Sequence, residues 1–158
     1  KIDVLGSFSS WKLYEGKSDI GFNLKYPTDW TVTFDENFPD YVDFTPSSGN
    51  GFAALIIPAT NKKQTLSQWL KARDKENNEV MGGQYPVKIV STKKVRVGKI
   101  SAIQRVEYMT AAGFKLIHTY AKKGNNFYMF TLTIRDSSGE YTTVDKKIYD
   151  KILSTVQF

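Results

Sequence analysis

The chain holds one histidine, His118, and no cysteine, which leaves few ways to build a catalytic centre. A lone imidazole can act as a base or a metal ligand near neutral pH. No second His and no thiolate stand ready to complete a zinc site, and no nucleophile elbow supplies a serine partner. His118 alternates in step with Leu116 and Tyr120 and so reads as a sheet-face histidine with a structural role. The missing thiols also remove disulfides and iron–sulfur clusters. The stretch "GNGFAA" at 49–54 carries the glycines of a dinucleotide-binding turn. It leads into an apolar strand instead of opening a helix, so no helix N-terminus meets a pyrophosphate, and it reads as a loop. The P-loop pattern is absent. These observations point away from an enzyme.

Charged groups supply the remaining chemistry. Asp35, Glu36, Asp40 and Asp43 crowd one loop and the start of a strand. Carboxylates on a loop are hard oxygen donors suited to calcium. Their spacing is not that of an EF-hand and Pro39 interrupts it, so they read first as a solvated acidic loop, with a weak calcium site as the alternative. Lys93, Lys94, Arg96 and Lys99 gather round one predicted hairpin, with Lys122 and Lys123 at the tip of another. Such a patch suits phosphate or an acidic protein. No aromatic residues interleave with it for base stacking, so nucleic acid is not the expected partner. Charge on an edge strand also guards against edge-to-edge pairing, which accounts for Lys94 and Arg96 alternating with Val95 and Val97.

The net charge of +6 is unevenly spread. Residues 1–60 carry four Lys against eight Asp/Glu, whereas residues 61–158 carry eighteen Lys/Arg against eight Asp/Glu. The molecule therefore has an acidic and a basic part. At 158 residues, 41% hydrophobic and 24% charged, the chain suits one globular domain spanning 1–158, with 1–20 as a covering N-terminal segment. Its longest apolar run, "FAALII" at 52–57, is too short to span a bilayer. Lys1 instead of Met opens the chain, as expected of a mature or trimmed form, and the sequence does not show whether a signal or anchor precedes it.

The elements that must position these groups follow from periodicity. Residues 9–14 read as a first strand or covering segment. Gly21–Tyr26 and Trp30–Phe34 alternate about Pro27-Thr28-Asp29 and read as a hairpin. Tyr41–Phe44 is a short strand, and Phe52–Pro58 a strand covered on both faces. Thr65–Met81 is a helix with a Thr65/Gln68 capping box, a stripe of Leu66, Trp69, Leu70 and Val80, and a stop at Gly82-Gly83. Val87–Val97, Ile100–Thr110, Phe114–Ala121 and Asn126–Ile134 are four strands joined by short glycine-containing turns, hence antiparallel. Both faces of this series carry apolar side chains, so both need cover. A closing helix with Ser138 as candidate cap and Val144, Ile148 and Ile152 at helical spacing supplies some of it. The class is α+β: an antiparallel sheet of six to eight strands flanked by helices.

Within this layout, "GFNLKYPTDW" resembles the opening signature of the PsbP family, carried here by Gly21, Tyr26, Pro27 and Trp30. The "TLSQWL" helix and the closing "IYDKILSTVQF" resemble the family's later elements in the same order, from Gly21 to Phe158. The resemblance implies an α/β/α sandwich and no catalytic triad. Its best-known members are extrinsic subunits at the lumenal side of photosystem II, where they help retain calcium and chloride. Many relatives in prokaryotes that do not photosynthesise are exported or lipid-anchored proteins of unknown role, and a nuclear-import factor that binds the GTPase Ran shares the fold. The long basic N-terminal arm of the photosynthetic members has no match here, and their metal ligands are not carried over. The expectation is a prokaryotic, non-enzymatic accessory or binding protein outside the cytoplasm, docked on a larger protein assembly. Membrane association would come only through a removed anchor or that partner. The alternative is a calcium- or small-ligand-binding module, including a photosystem II extrinsic-subunit role.

Overall fold

Strict alternation in the second half and two amphipathic runs translate directly into elements. The computed structural model describes residues 10–16, 20–80, 87–110 and 112–158, with 78–80 by backbone alone. The elements run β1 (Lys12–Glu15), β2 (Asn23–Tyr26), β3 (Thr31–Phe34), β4 (Tyr41–Thr45), β5 (Gly51–Pro58), α1 (Leu66–Val80), β6 (Val87–Val97), β7 (Ile100–Met109), β8 (Phe114–Lys123), β9 (Asn126–Thr133) and α2 (Thr143–Ser154). Seven strands form one antiparallel sheet in the order β3-β4-β5-β9-β8-β7-β6, and β1 pairs with β2 in a separate two-stranded sheet. The sheet is thus α+β in class and within the expected strand count. None of the described helices is long and apolar enough to cross a membrane.

The expected hairpin of Gly21–Tyr26 with Trp30–Phe34 does not form. β2 pairs with β1, Lys12 opposite Tyr26, whereas β3 pairs with β4, Val32 opposite Phe44. Pro27 is buried at the corner, and the amide of Trp30 closes a turn onto its carbonyl. The chain therefore leaves one sheet and enters the other there. Phe22, Leu24 and Tyr26 point into the core between the two sheets, and Trp30 is 9% exposed. Gly21 has φ of 70°, and a Cβ on it would meet the Tyr128 hydroxyl at 2.9 Å, so a glycine suits the site on both counts.

One face of the large sheet packs against β2 and α2. Phe22 meets Phe130 edge-on with centroids 5.6 Å apart, Tyr26 meets Phe44 at 5.2 Å, and Phe52 meets Tyr149 at 5.7 Å. Such aromatic pairs add packing energy beyond burial alone. Tyr149 is fully buried; its hydroxyl donates to the Phe130 carbonyl at 2.8 Å and lies 2.7 Å from Thr119 Oγ1. Helix α2 begins at Thr142, in a reciprocal capping box with Asp145, not at Ser138. Ser138 instead hydrogen-bonds Asp136 in the preceding loop. The buried stripe of α2 is Tyr149, Ile152 and Leu153, while Val144 is 39% exposed. Ile148 and Ile152 of the expected row do face the core, with Tyr149 beside them over Phe52; only Val144, in the first turn, stays outside it.

The other face is covered by α1. The Thr65/Gln68 capping box forms as the sequence indicates, with both reciprocal bonds present. Trp69 stacks on Phe127 at 4.5 Å with nearly parallel rings, and Leu70 is buried. Residues 1–9, Met81 and the Gly82-Gly83 stop lie outside the described residues. Of the stretch 49–54, expected as a loop, only Gly49 and Asn50 precede the strand, and Gly51–Ala54 already pair within β5. Buried Asn50 donates to the Glu140 carbonyl at 2.9 Å and to Asp145 at 3.1 Å, and accepts from the Arg135 amide at 2.8 Å. It ties the start of β5 to the approach of α2.

Candidate functional site

Two concave features stand out, one on each side of the sheet. The first lies beneath α1. Stacking of Trp69 on Phe127 fixes the helix rotation, and the next turn sets Arg73 and Asp74 over the sheet. Residues on β7, β8 and β9 that face α1 recur every second position, so Glu107, His118, Tyr120 and Met129 share that face. Together with Arg73, Met109, Leu116 and other neighbours they enclose a cavity of about 240 Å³.

The polar groups here are braced individually. Asp74 takes a bidentate pair from Arg105 at 2.8 and 3.1 Å. Such fork-on-carboxylate pairing is the strong form of ion pair. Arg105 Nε is buried without a hydrogen-bond partner. Glu107 is 8% exposed and accepts from the Tyr120 hydroxyl at 3.1 Å. Burial raises its carboxyl above the ordinary range, and the Tyr120 hydrogen bond and the charges of Arg105 and Arg73 only partly oppose this. His118 Nδ1 lies 2.8 Å from Thr131 Oγ1, and its Nε2 lies 3.5 Å from Glu107 Oε2. Burial, helped by the Arg73 charge, lowers its pKa to about 4. The imidazole is therefore neutral near pH 7, and its contact with Glu107 is not an ion pair there. The Tyr120 phenol is raised by burial and by Glu107. Arg73 sits over the Trp69 ring at 5.5 Å and reaches Met129 Sδ at 3.9 Å.

The second feature lies at the C-terminal end of α2. Gly98 donates its amide to the Leu153 carbonyl at 2.9 Å, pinning the β6–β7 turn to the helix end. After the helix, Gln157 exchanges two backbone hydrogen bonds with Asn23 at 2.8 and 2.9 Å, and Thr155 Oγ1 receives the Lys25 amide at 2.9 Å. Phe158 then packs edge-on against Tyr128 at 4.9 Å. These ties leave a cleft of about 690 Å³ with Lys25, Lys99, Lys123 and Lys151 on its walls and Ile100, Val156 and Phe158 among its apolar lining. Among the described residues no Asp or Glu lines it.

The six basic residues singled out in the sequence therefore divide. Lys99 and Lys123 converge on this cleft. Lys93, Lys94 and Arg96 lie along β6, the exposed edge strand, and Arg96 donates to the Lys99 carbonyl. Val95 is half-buried and Val97 fully buried between them, as the alternation requires. Lys122 turns to the α1 side and donates to the carbonyls of Lys62 and Gln64 at 2.9 and 2.6 Å. Of the acidic residues, Asp43 forms an ion pair with Arg135 at 2.5 Å. Asp35 accepts from the Asn37 amide at 2.8 Å within the β3–β4 turn. Among the described residues no three His, Cys, Asp or Glu side chains gather as a metal-holding group.

Lys25 and Lys151 belong to the cleft, and Arg73, Asp74 and Glu107 to the cavity, yet none stood out in the sequence. The signals were weak. Arg73 interrupts the apolar stripe of α1, and Glu107 alternates in step with Arg105 on a strand whose other face carries Ala102, Gln104, Val106 and Tyr108. Lys25 and Lys151 are far apart along the chain and meet only through the tail that follows α2.

Comparison with solved structures bears on the fold. The chain is similar to cyanobacterial PsbP (CyanoP) from Synechocystis sp. PCC 6803, with a TM-score of 0.65 over 96% of this chain and 94% of that chain, at 12% sequence identity. The fold is PsbP-like. A protein from Bacteroides thetaiotaomicron is also similar, with a TM-score of 0.60 and 17% identity over 94% of this chain, which spans only 48% of that protein. No family model and no curated protein sequence matches the chain. Likeness at such identities is likeness of fold, so function has to be argued from the sites.

Proposed function

We propose that this protein is a non-enzymatic docking module that seats an acidic partner protein against its lysine-lined end, outside the cytoplasm. The carrying observation is the convergence of Lys25, Lys99, Lys123 and Lys151, from four separate segments, round one cleft. Four cations at one concavity attract and orient an anionic surface. Ile100, Val156 and Phe158 add apolar contact area where water would be displaced. The turns at 98–99 and 124–125 and the approach to α1 lie at the same end of the sheet, because successive strands are antiparallel. Lys62, Lys63 and Lys122 extend the positive field there. The PsbP-like fold supports an accessory role by analogy.

The test is affinity capture from the native source at low salt, beside a Lys99→Glu/Lys123→Glu double variant. An acidic protein captured by the wild type, released as salt rises and lost in the variant, is the expected outcome. Equal capture by the two proteins, with the variant shown folded by circular dichroism, would refute docking through this cleft. Fractionation of the native source tests the location: recovery in the cytoplasmic fraction alone would overturn that part.

A further inference from the structure

The cavity beneath α1 has no part in the lysine-lined cleft, and its charges are unusual. Arg73 contributes a guanidinium whose contacts are the Trp69 ring and the Met129 thioether, with no carboxylate at hydrogen-bond distance among the described residues. Its neighbour Asp74 is occupied by Arg105. Glu107 contributes a buried carboxyl held by the Tyr120 hydroxyl and facing a neutral His118, with no Lys or Arg at hydrogen-bond distance among the described residues. One cation and one acid thus line the same void without closing on each other, each braced on its own wall. Leaving such groups unpaired in a half-dry site is costly. A ligand carrying both charges would satisfy both.

We propose that this cavity binds a small apolar amino acid as its zwitterion. The carboxylate pairs with Arg73, whose planar fork matches it. The ammonium pairs with the Glu107 carboxylate. The apolar side chain lies against Met109, Leu116 and Met129, where flexible thioethers adapt to shape. The volume of about 240 Å³ is on the small side for a ligand site and excludes bulky occupants.

Isothermal titration calorimetry of the whole chain tests this with L-leucine as the probe. The matched analogues are 4-methylpentanoate, which lacks the ammonium, and 3-methylbutylamine, which lacks the carboxylate. Leucine should bind, and each analogue should bind about tenfold more weakly or worse, as expected for loss of one charge-assisted contact. Arg73→Met should bring leucine down to the level of the amine, and Glu107→Gln should bring it down to the level of 4-methylpentanoate. Arg73→Lys, which keeps the charge, should retain part of the binding. The analogue series on the wild-type protein decides the matter even where a variant fails to fold. Absence of leucine binding at millimolar concentration overturns the proposal. So does an analogue that binds as tightly as leucine, since one charge would then suffice.

Discussion

Acidifying the protein should unfold it partly through one side chain, His118. Its imidazole is buried beneath α1, its Nδ1 engaged by Thr131. Burial and the nearby Arg73 charge lower its pKa from 6.5 to about 4. The unfolded chain takes up this proton near pH 6.5, and the folded chain only near pH 4. Between these values the unfolded state binds more protons, so stability falls as pH falls. His118 contributes fully above about pH 6.5 and loses its contribution on the way down to about pH 4. A gap of about 2.5 units, at about 1.4 kcal/mol per unit, amounts to roughly 3 kcal/mol. Glu107 acts in the opposite sense. Its raised pKa gives stability that is present below the ordinary carboxyl value of 4.5 and is lost as pH rises through the folded value. The net slope of the wild type is therefore shallower than that of His118 alone. Urea unfolding of wild type and His118→Gln across this pH window isolates the term. The stability advantage of the wild type should shrink by roughly 3 kcal/mol from the top of the window to the bottom. An advantage that stays constant with pH would refute the buried, neutral imidazole. Because His118 is the only histidine, its imidazole proton resonances give an independent reading. They should show a midpoint near pH 4 and no titration near pH 6.5.

Two structural predictions accompany it. Trp30→Ala removes a ring that is 9% exposed at the corner between the sheets, and should cost about 3–5 kcal/mol in urea unfolding; an unchanged midpoint would place the ring in solvent. Gly98→Ala puts a methyl 2.0 Å from the Val156 carbonyl oxygen at a φ of 54°. It should lower stability by more than the roughly 1 kcal/mol of backbone strain alone and loosen the tail after α2. Hydrogen exchange at the Gln157 amide, bonded to Asn23 at 2.9 Å, reads that loosening directly; unaltered protection would show that the turn and the tail are not coupled.

Much of the scaffold was legible along the chain because its determinants are local. Alternation marked β6 to β9, short glycine turns made them antiparallel, and Thr65 with Gln68 announced α1. Where the reading failed, a distant partner had decided. Pro27 and Trp30 looked like the turn of a hairpin, since a turn between two alternating runs has that local appearance. Only the availability of β1 for β2 and of β4 for β3 sent the two strands into different sheets. On α2 the helical spacing placed Ile148 and Ile152 in the core correctly but included the exposed Val144 and missed Tyr149, whose ring over Phe52 is set by a partner on another strand.

The sequence by itself determined the absence of thiol chemistry, the lone imidazole, the uneven charge and the alternation that makes a sheet needing cover on both faces. These are properties of residue type and period, and no folding is needed to count them. Tertiary structure alone decided which charges meet. Lys25 and Lys151 reach the cleft of Lys99 and Lys123 because the tail after α2 pairs with β2. Arg73 and Glu107 face one cavity because Trp69 stacks on Phe127 and so sets the rotation of α1 over β7 and β8. Such convergence depends on register and helix rotation, both set by contacts between residues tens of positions apart, and no local pattern encodes it.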